Sequence, residues 1–118
     1  MEKVEFRFET MEIWIKAIQI SKSLFIHCDT FKKHRQFALS DQLFRATLSI
    51  TNNIAEGSGS TSKKDFSNFI NISRRSVYEC VNIMYIALHL KLLNEEDMLG
   101  LKVKLFELSK MLFYFRKS

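Results

Sequence analysis

The residues of this 118-residue chain with the most chemical potential are three histidines, two cysteines, a Ser-x-x-Lys run and a row of polar side chains inside an otherwise apolar segment. His27, His34 and His89 form neither an HxxxH pair nor an ExxH arrangement, so the ligand spacing of a zinc or di-metal helix bundle is missing. Cys28 and Cys80 form no CxxC pair and fall within helical patterns, which reads as reduced structural thiols. Ser60-Thr61-Ser62-Lys63 matches SxxK but lacks the partner motifs of that hydrolase chemistry. Gly57-Ser58-Gly59 is followed by no Lys-Ser/Thr and preceded by no strand, so it reads as a helix connection rather than a phosphate loop. The expectation is a non-enzymatic protein with no catalytic residue, no metal and no cofactor.

The polar row consists of Gln42, Arg45, Ser49, Asn52 and Glu56 at alternating three- and four-residue steps, with Asn53 beside them. Glu79 stands in an apolar stripe further along the chain. A charge among Ile and Val must be compensated or protonated, unless it lies at the stripe's edge in solvent. Arg45, Asn53, Glu56 and Glu79 are therefore read as a structural polar cluster, with a solvated face as the alternative. A small-molecule enzyme using Arg45, Glu56 and Glu79 inside the fold ranks below either.

The elements that must position these residues are helices. Hydrophobic residues make up 47% of the chain, with no proline and only three glycines, far too few turn signals for an all-β domain. Apolar residues at helical spacing predict helices over about 10–28, 40–56, 63–91 and 94–116. Thr10, Ser40, Ser62 and Asn94 are the candidate N-caps, and residues 29–36 read as a loop. Gly57 to Thr61 reads as a helix end closed by glycine in the left-handed conformation. The first helix is expected to bury Met11, Trp14, Ile18, Ser21, Phe25 and Cys28. Short connections favour antiparallel neighbours, giving an all-α, antiparallel up-down-up-down four-helix bundle as a single domain. Trp14, Leu43, Ile50, Val77, Met84, Leu105 and Leu112 should be core.

Helices 3 and 4 each carry a second apolar row. Ile72, Ser76, Glu79, Ile83, Ile86 and Leu90 form one, and Leu99, Val103, Phe106 and Phe113 the other. That is more than one neighbour can cover, so the rows imply a homo-oligomer, or else they cover the connection between helices 1 and 2.

The chain carries 18 Lys and Arg against 13 Asp and Glu, a net charge of +5 that permits a nucleic-acid partner. In an up-down bundle the 2–3 connection and both termini share one end. That end collects Lys63, Lys64, Arg116 and Lys117, with Lys3 and Arg7 nearby. The resulting expectation is a nucleic-acid-binding scaffold using these residues. The alternative is a protein adaptor docking through its apolar rows or the basic stretch Lys32 to Arg35. No apolar run is long enough to span a bilayer and the first residues do not form a signal peptide, so a cytoplasmic protein without a membrane partner is expected.

The segment from Gln42 to Gly57, with its Asn53-Ile54-Ala55-Glu56-Gly57 string, is followed by Phe66, Phe69-Ile70, Ser76 and Glu79. With Trp14-Ile15-Lys16-Ala17, it resembles the bacterial four-helix bundle family of 23S rRNA intervening-sequence proteins. Phe44 stands where an Arg is common in that pattern, Thr51 where Pro is frequent, and Arg75 where a Gly usually precedes the Ser. The resemblance covers nearly the whole chain. It implies a left-handed bundle assembling into rings, often homopentamers, with no established enzymatic activity and a role in nucleic acid binding. A more distant similarity, to the accessory protein of diversity-generating retroelements, implies docking on a reverse transcriptase.

Overall fold

Side chains that recur every three or four residues wind into four long helices in a computed structural model. It describes residues 4–117, with side chains through Phe115. A 3-10 turn, Arg7–Thr10, leads into α1 (Glu12–Lys33), α2 (Phe37–Ser58), α3 (Lys63–His89) and α4 (Glu95–Lys117). Helices consecutive in the chain pack side by side, and α1 closes the bundle against α4. The backbones of the diagonal pairs α1–α3 and α2–α4 stay apart among the described residues. This is the four-helix bundle that the spacing predicts.

Two of the expected caps form as read. The Ser62 hydroxyl accepts the Asp65 amide at 3.0 Å, and the Asn94 side-chain oxygen accepts the Asp97 amide at 2.8 Å. The other two do not. α1 starts after Met11 without a side-chain cap, and Thr10 instead donates to the Arg7 carbonyl at 3.4 Å within the 3-10 turn. α2 begins three residues before Ser40, whose buried hydroxyl crosses to the Cys28 carbonyl of α1 at 2.9 Å.

The predicted loop over 29–36 is mostly helix. Phe31 continues the buried face one turn beyond Cys28 and is fully enclosed, which extends α1 to Lys33. The reversal is then made by Arg35 in the left-handed region at φ 60°, with the Gln36 amide on the Phe31 carbonyl and the Arg35 amide on Lys32. Lys91, at φ 61°, repeats the arrangement after α3, its own amide on Leu88 and the next amide on Ala87. Both are Schellman closures carried by basic residues rather than glycine.

Gly57 does something other than turn. No described glycine has positive φ, and Gly57 lies inside α2 where it faces α3. A Cβ there would sit 2.7 Å from the Phe69 Cβ and 2.9 Å from Phe66, so the missing side chain lets the two helices approach. Small polar residues extend the same seam. The Ser73 hydroxyl donates to the Ile50 carbonyl at 2.7 Å, Ser49 and Ser76 share a hydrogen bond of 2.7 Å, and Thr47 lies 3.8 Å from the Cys80 sulfur.

Leu43, Ile50, Val77, Met84, Leu105 and Leu112 are core as expected, whereas Trp14 only packs against the core's edge. In α1 the buried face is Ile13, Ala17, Ile20, Ser21, Leu24, Cys28 and Phe31. It shares only Ser21 and Cys28 with the expected stripe, and Ile18 is exposed. The second rows stay largely uncovered. Ile72 and Ile86 are exposed on α3 and Leu90 just after it, while Ile83 is buried. On α4 Leu99, Val103 and Phe106 are 60%, 48% and 62% exposed. They do not cover the helix 1–2 connection, which is only the three residues between Lys33 and Phe37.

Candidate nucleic-acid interface

The basic end is built around the first turn of α3. Lys63 and Lys64 open that helix and are exposed. Phe66 lies one turn further in, and the Arg7 guanidinium is stacked over its ring at 4.9 Å. Arg7 is delivered there by the 3-10 turn, which Phe8 anchors through a tilted contact with Trp14 at 5.0 Å. The ring of Phe115, in the last turns of α4, meets Phe66 edge-on at 5.2 Å, so the end of α4 arrives at the same place. Of the six predicted cations, Arg7, Lys63 and Lys64 are thus brought together. Lys3 and the side chains of Arg116 and Lys117 lie outside the described residues.

Two acidic neighbours at this end accept local hydrogen bonds. A Glu9 carboxylate oxygen accepts the Phe6 amide at 2.6 Å, and Asp65 accepts the Ser60 hydroxyl at 2.8 Å. In the Ser-x-x-Lys run Ser62 is thus the N-cap of α3, and Ser60 donates to the Asp65 carboxylate. Lys63 and Lys64 project beside a helix N-terminus, whose amides and dipole also favour an anion. The arrangement suits phosphate oxygens, with Arg7 held by an aromatic ring rather than by a carboxylate.

The polar row of α2 divides in two. Arg45, Asn52 and Glu56 are exposed, as is Glu79 on α3, and among the described residues no ion pair joins Arg45 to Glu79. Asn53 is half-buried and donates to the Ser49 carbonyl at 2.7 Å and its hydroxyl at 3.0 Å. Asn53 therefore belongs to the α2–α3 seam, while the three charged members sit in solvent rather than inside the bundle.

Both cysteines are buried and free. Burial pushes the Cys28 thiol up to about 11 and the Cys80 thiol to about 12, so neither is a thiolate at neutral pH. Burial lowers His27 below 6.5, opposed by the negative charge of Asp97.

A second cationic surface escaped the sequence reading. A groove of about 400 Å³ runs between α3 and α4, floored by Val77, Val81 and Leu105 and walled by Tyr78, Tyr85 and Phe106. Arg74 lies over Tyr78 at 5.2 Å and over Phe113 at 5.1 Å, Lys102 over Tyr85 at 5.5 Å, and Lys110 over Phe106 at 5.8 Å. The signal was present as Arg74/Tyr78 and Phe106/Lys110 at four-residue spacing. Only the pairing of α3 with α4 joins them.

On the other side of α4, toward α1, lies an open groove of about 600 Å³ lined by Ile20, Leu99, Gly100 and Val103. The ion pair of Lys16 with Glu107, at 2.7 Å, spans it. The Lys16 hydrogen bond holds the Glu107 carboxyl below its ordinary range. Among the described residues no helix is long and apolar enough to cross a membrane.

The model of a family described as 23S rRNA-intervening sequence protein matches residues 9–114. Comparison with curated proteins finds no match.

Proposed function

The chain belongs to the 23S rRNA-intervening sequence protein family, and from that premise we propose that it is a non-enzymatic, homo-oligomeric scaffold that binds nucleic acid. The observation that carries the binding role is the gathering of Arg7, Lys63 and Lys64 around the N-terminus of α3, with Arg7 resting on the Phe66 ring. The assembly role is supported by the uncovered Leu99 and Val103 on α4, beside the α1–α4 groove, which a second copy would remove from water. In a ring, pentameric as the resemblance implies, one basic end per subunit would line a common rim, and individually weak phosphate contacts would sum.

Titration of a labelled RNA duplex by fluorescence anisotropy over a range of salt concentrations tests the binding role. The affinity should fall steeply with salt. Lys63→Glu with Lys64→Glu should weaken it and reduce the salt slope by about one for each phosphate no longer neutralised. Binding that ignores both salt and these substitutions would refute the reading. The same α4 row also suits a protein partner, making this chain an adaptor. An apolar docking surface would hold or tighten as salt rises.

A further inference from the structure

We propose that the α3–α4 groove is a stacking platform for single-stranded nucleic acid, with Tyr78, Tyr85 and Phe106 receiving bases and Arg74, Lys102 and Lys110 meeting the flanking phosphates. The inference rests on the nucleic-acid reading above and moves the base contact to a surface distinct from the basic end.

Tyr78 is 58% exposed and Phe106 62%, so both rings sit in water although the groove floor beside them is apolar. Tyr78 and Tyr85 are two turns apart on α3, about 10 Å along the helix, with Phe106 across the groove on α4. No acidic residue lines the groove among the described residues, while a lysine or arginine lies over each of the three rings.

This combination selects its occupant. An apolar protein segment laid over the rings would strip water from three cations and supply no counter-charge. A second copy meeting the groove face to face would bring Arg74, Lys102 and Lys110 against themselves. A single strand supplies both complements at once, because every base has a flat π-face and every linkage a phosphate. The cations resting on the rings do not block this. A cation–π contact in water is weaker than a base stacked on an aromatic ring, and Lys102 and Lys110 can swing from ring to phosphate as the base arrives, while Arg74, whose guanidinium donates to the Ser109 carbonyl and the Tyr78 hydroxyl at 3.1 Å each, meets a phosphate from where it stands. A duplex keeps its base faces stacked internally and would not gain from the rings.

The test compares three labelled probes of equal length: an oligoadenylate strand, a strand with the same phosphates but abasic throughout, and a duplex. The full-length protein is titrated with each as wild type, Tyr78→Ala, Phe106→Ala and Tyr78→Phe. Because both positions are exposed, the alanine variants should keep the wild-type circular dichroism and mass. The wild type should prefer the oligoadenylate, and each alanine should cost it roughly tenfold in affinity. Abasic and duplex binding should stay unchanged, and Tyr78→Phe should retain wild-type affinity. Equal wild-type affinity for the base-bearing and abasic strands, or alanine variants that weaken all probes alike, would overturn the groove and leave the basic end standing. A wild type that binds none of the probes would overturn both readings.

Discussion

Gly57 and Gly100 are both helical glycines, yet their surroundings are opposite. At Gly57, in the α2–α3 seam, two phenylalanines come within 2.9 Å of where a Cβ would be, whereas at Gly100 on α4 nothing lies within 4 Å. The α2–α3 seam is closed by small residues, buried hydroxyls and helix-to-helix hydrogen bonds, all supplied by this one chain. The α1–α4 side is held by an exposed ion pair across an open groove, beside a row of uncovered apolar side chains. One seam is complete within the subunit. The other leaves apolar surface that contact with another molecule would cover.

The contrast can be broken first at the core of the closed seam. Ile50 is buried, and its carbonyl accepts the Ser73 hydroxyl. Ile50→Ala should therefore cost about 2–5 kcal/mol in chemical denaturation, since the enclosed site cannot collapse around the void. A loss below about 0.5 kcal/mol would mean that the seam is not packed as described. The two glycines sharpen the contrast because one substitution should act with opposite sign at each. Gly57→Ala forces Phe66 and Phe69 away, an overpacking cost of about 1–3 kcal/mol that outweighs the roughly 0.5–1 kcal/mol gained by alanine in a helix. Net destabilisation follows. Gly100→Ala meets no neighbour in the subunit and should stabilise by roughly 0.5–1 kcal/mol. Equal effects at the two positions, read as shifts in denaturation midpoint, would erase the distinction between the seams.

The smallest effect concerns pH. Burial lowers His27 below 6.5 in the folded chain, so the unfolded chain takes up that proton first. The neutral side chain's contribution is present above pH 6.5 and lost as the pH falls through the folded value. Thermal midpoints across this range should drop for the wild type, and His27→Gln should flatten the drop. Identical profiles would remove His27 as its source.

What could be read from sequence follows the strength of the local signal. The caps at Ser62 and Asn94 formed as read because each is a short-range contact with the amide three residues on. The core positions Leu43, Ile50, Val77, Met84, Leu105 and Leu112 are legible because apolar residues recur around them at helical spacing. α1 has Ile13, Trp14, Ile15, Ala17, Ile18 and Ile20 within about two turns, so spacing alone leaves the phase of its buried face ambiguous, and the expected stripe misses it. Phe31 is masked by the basic residues around it in sequence, although burial of its ring extends the helix. At the candidate site, Lys63 and Lys64 could be placed by topology. The seat of Arg7 on Phe66 is a contact between distant segments, and no local pattern announces it. Gly57 was read as a turn former because glycine's commoner role masks its use for close approach.

Assembly requires that the α4 row be covered by another copy of the chain. Light scattering coupled to size-exclusion chromatography at micromolar concentration measures this directly, with Leu99→Glu/Val103→Glu as the comparison. The wild type should elute with a mass several times the 13.9 kDa subunit, and the double variant should return to that subunit mass with its helicity intact. A wild type that runs at 13.9 kDa would contradict the account.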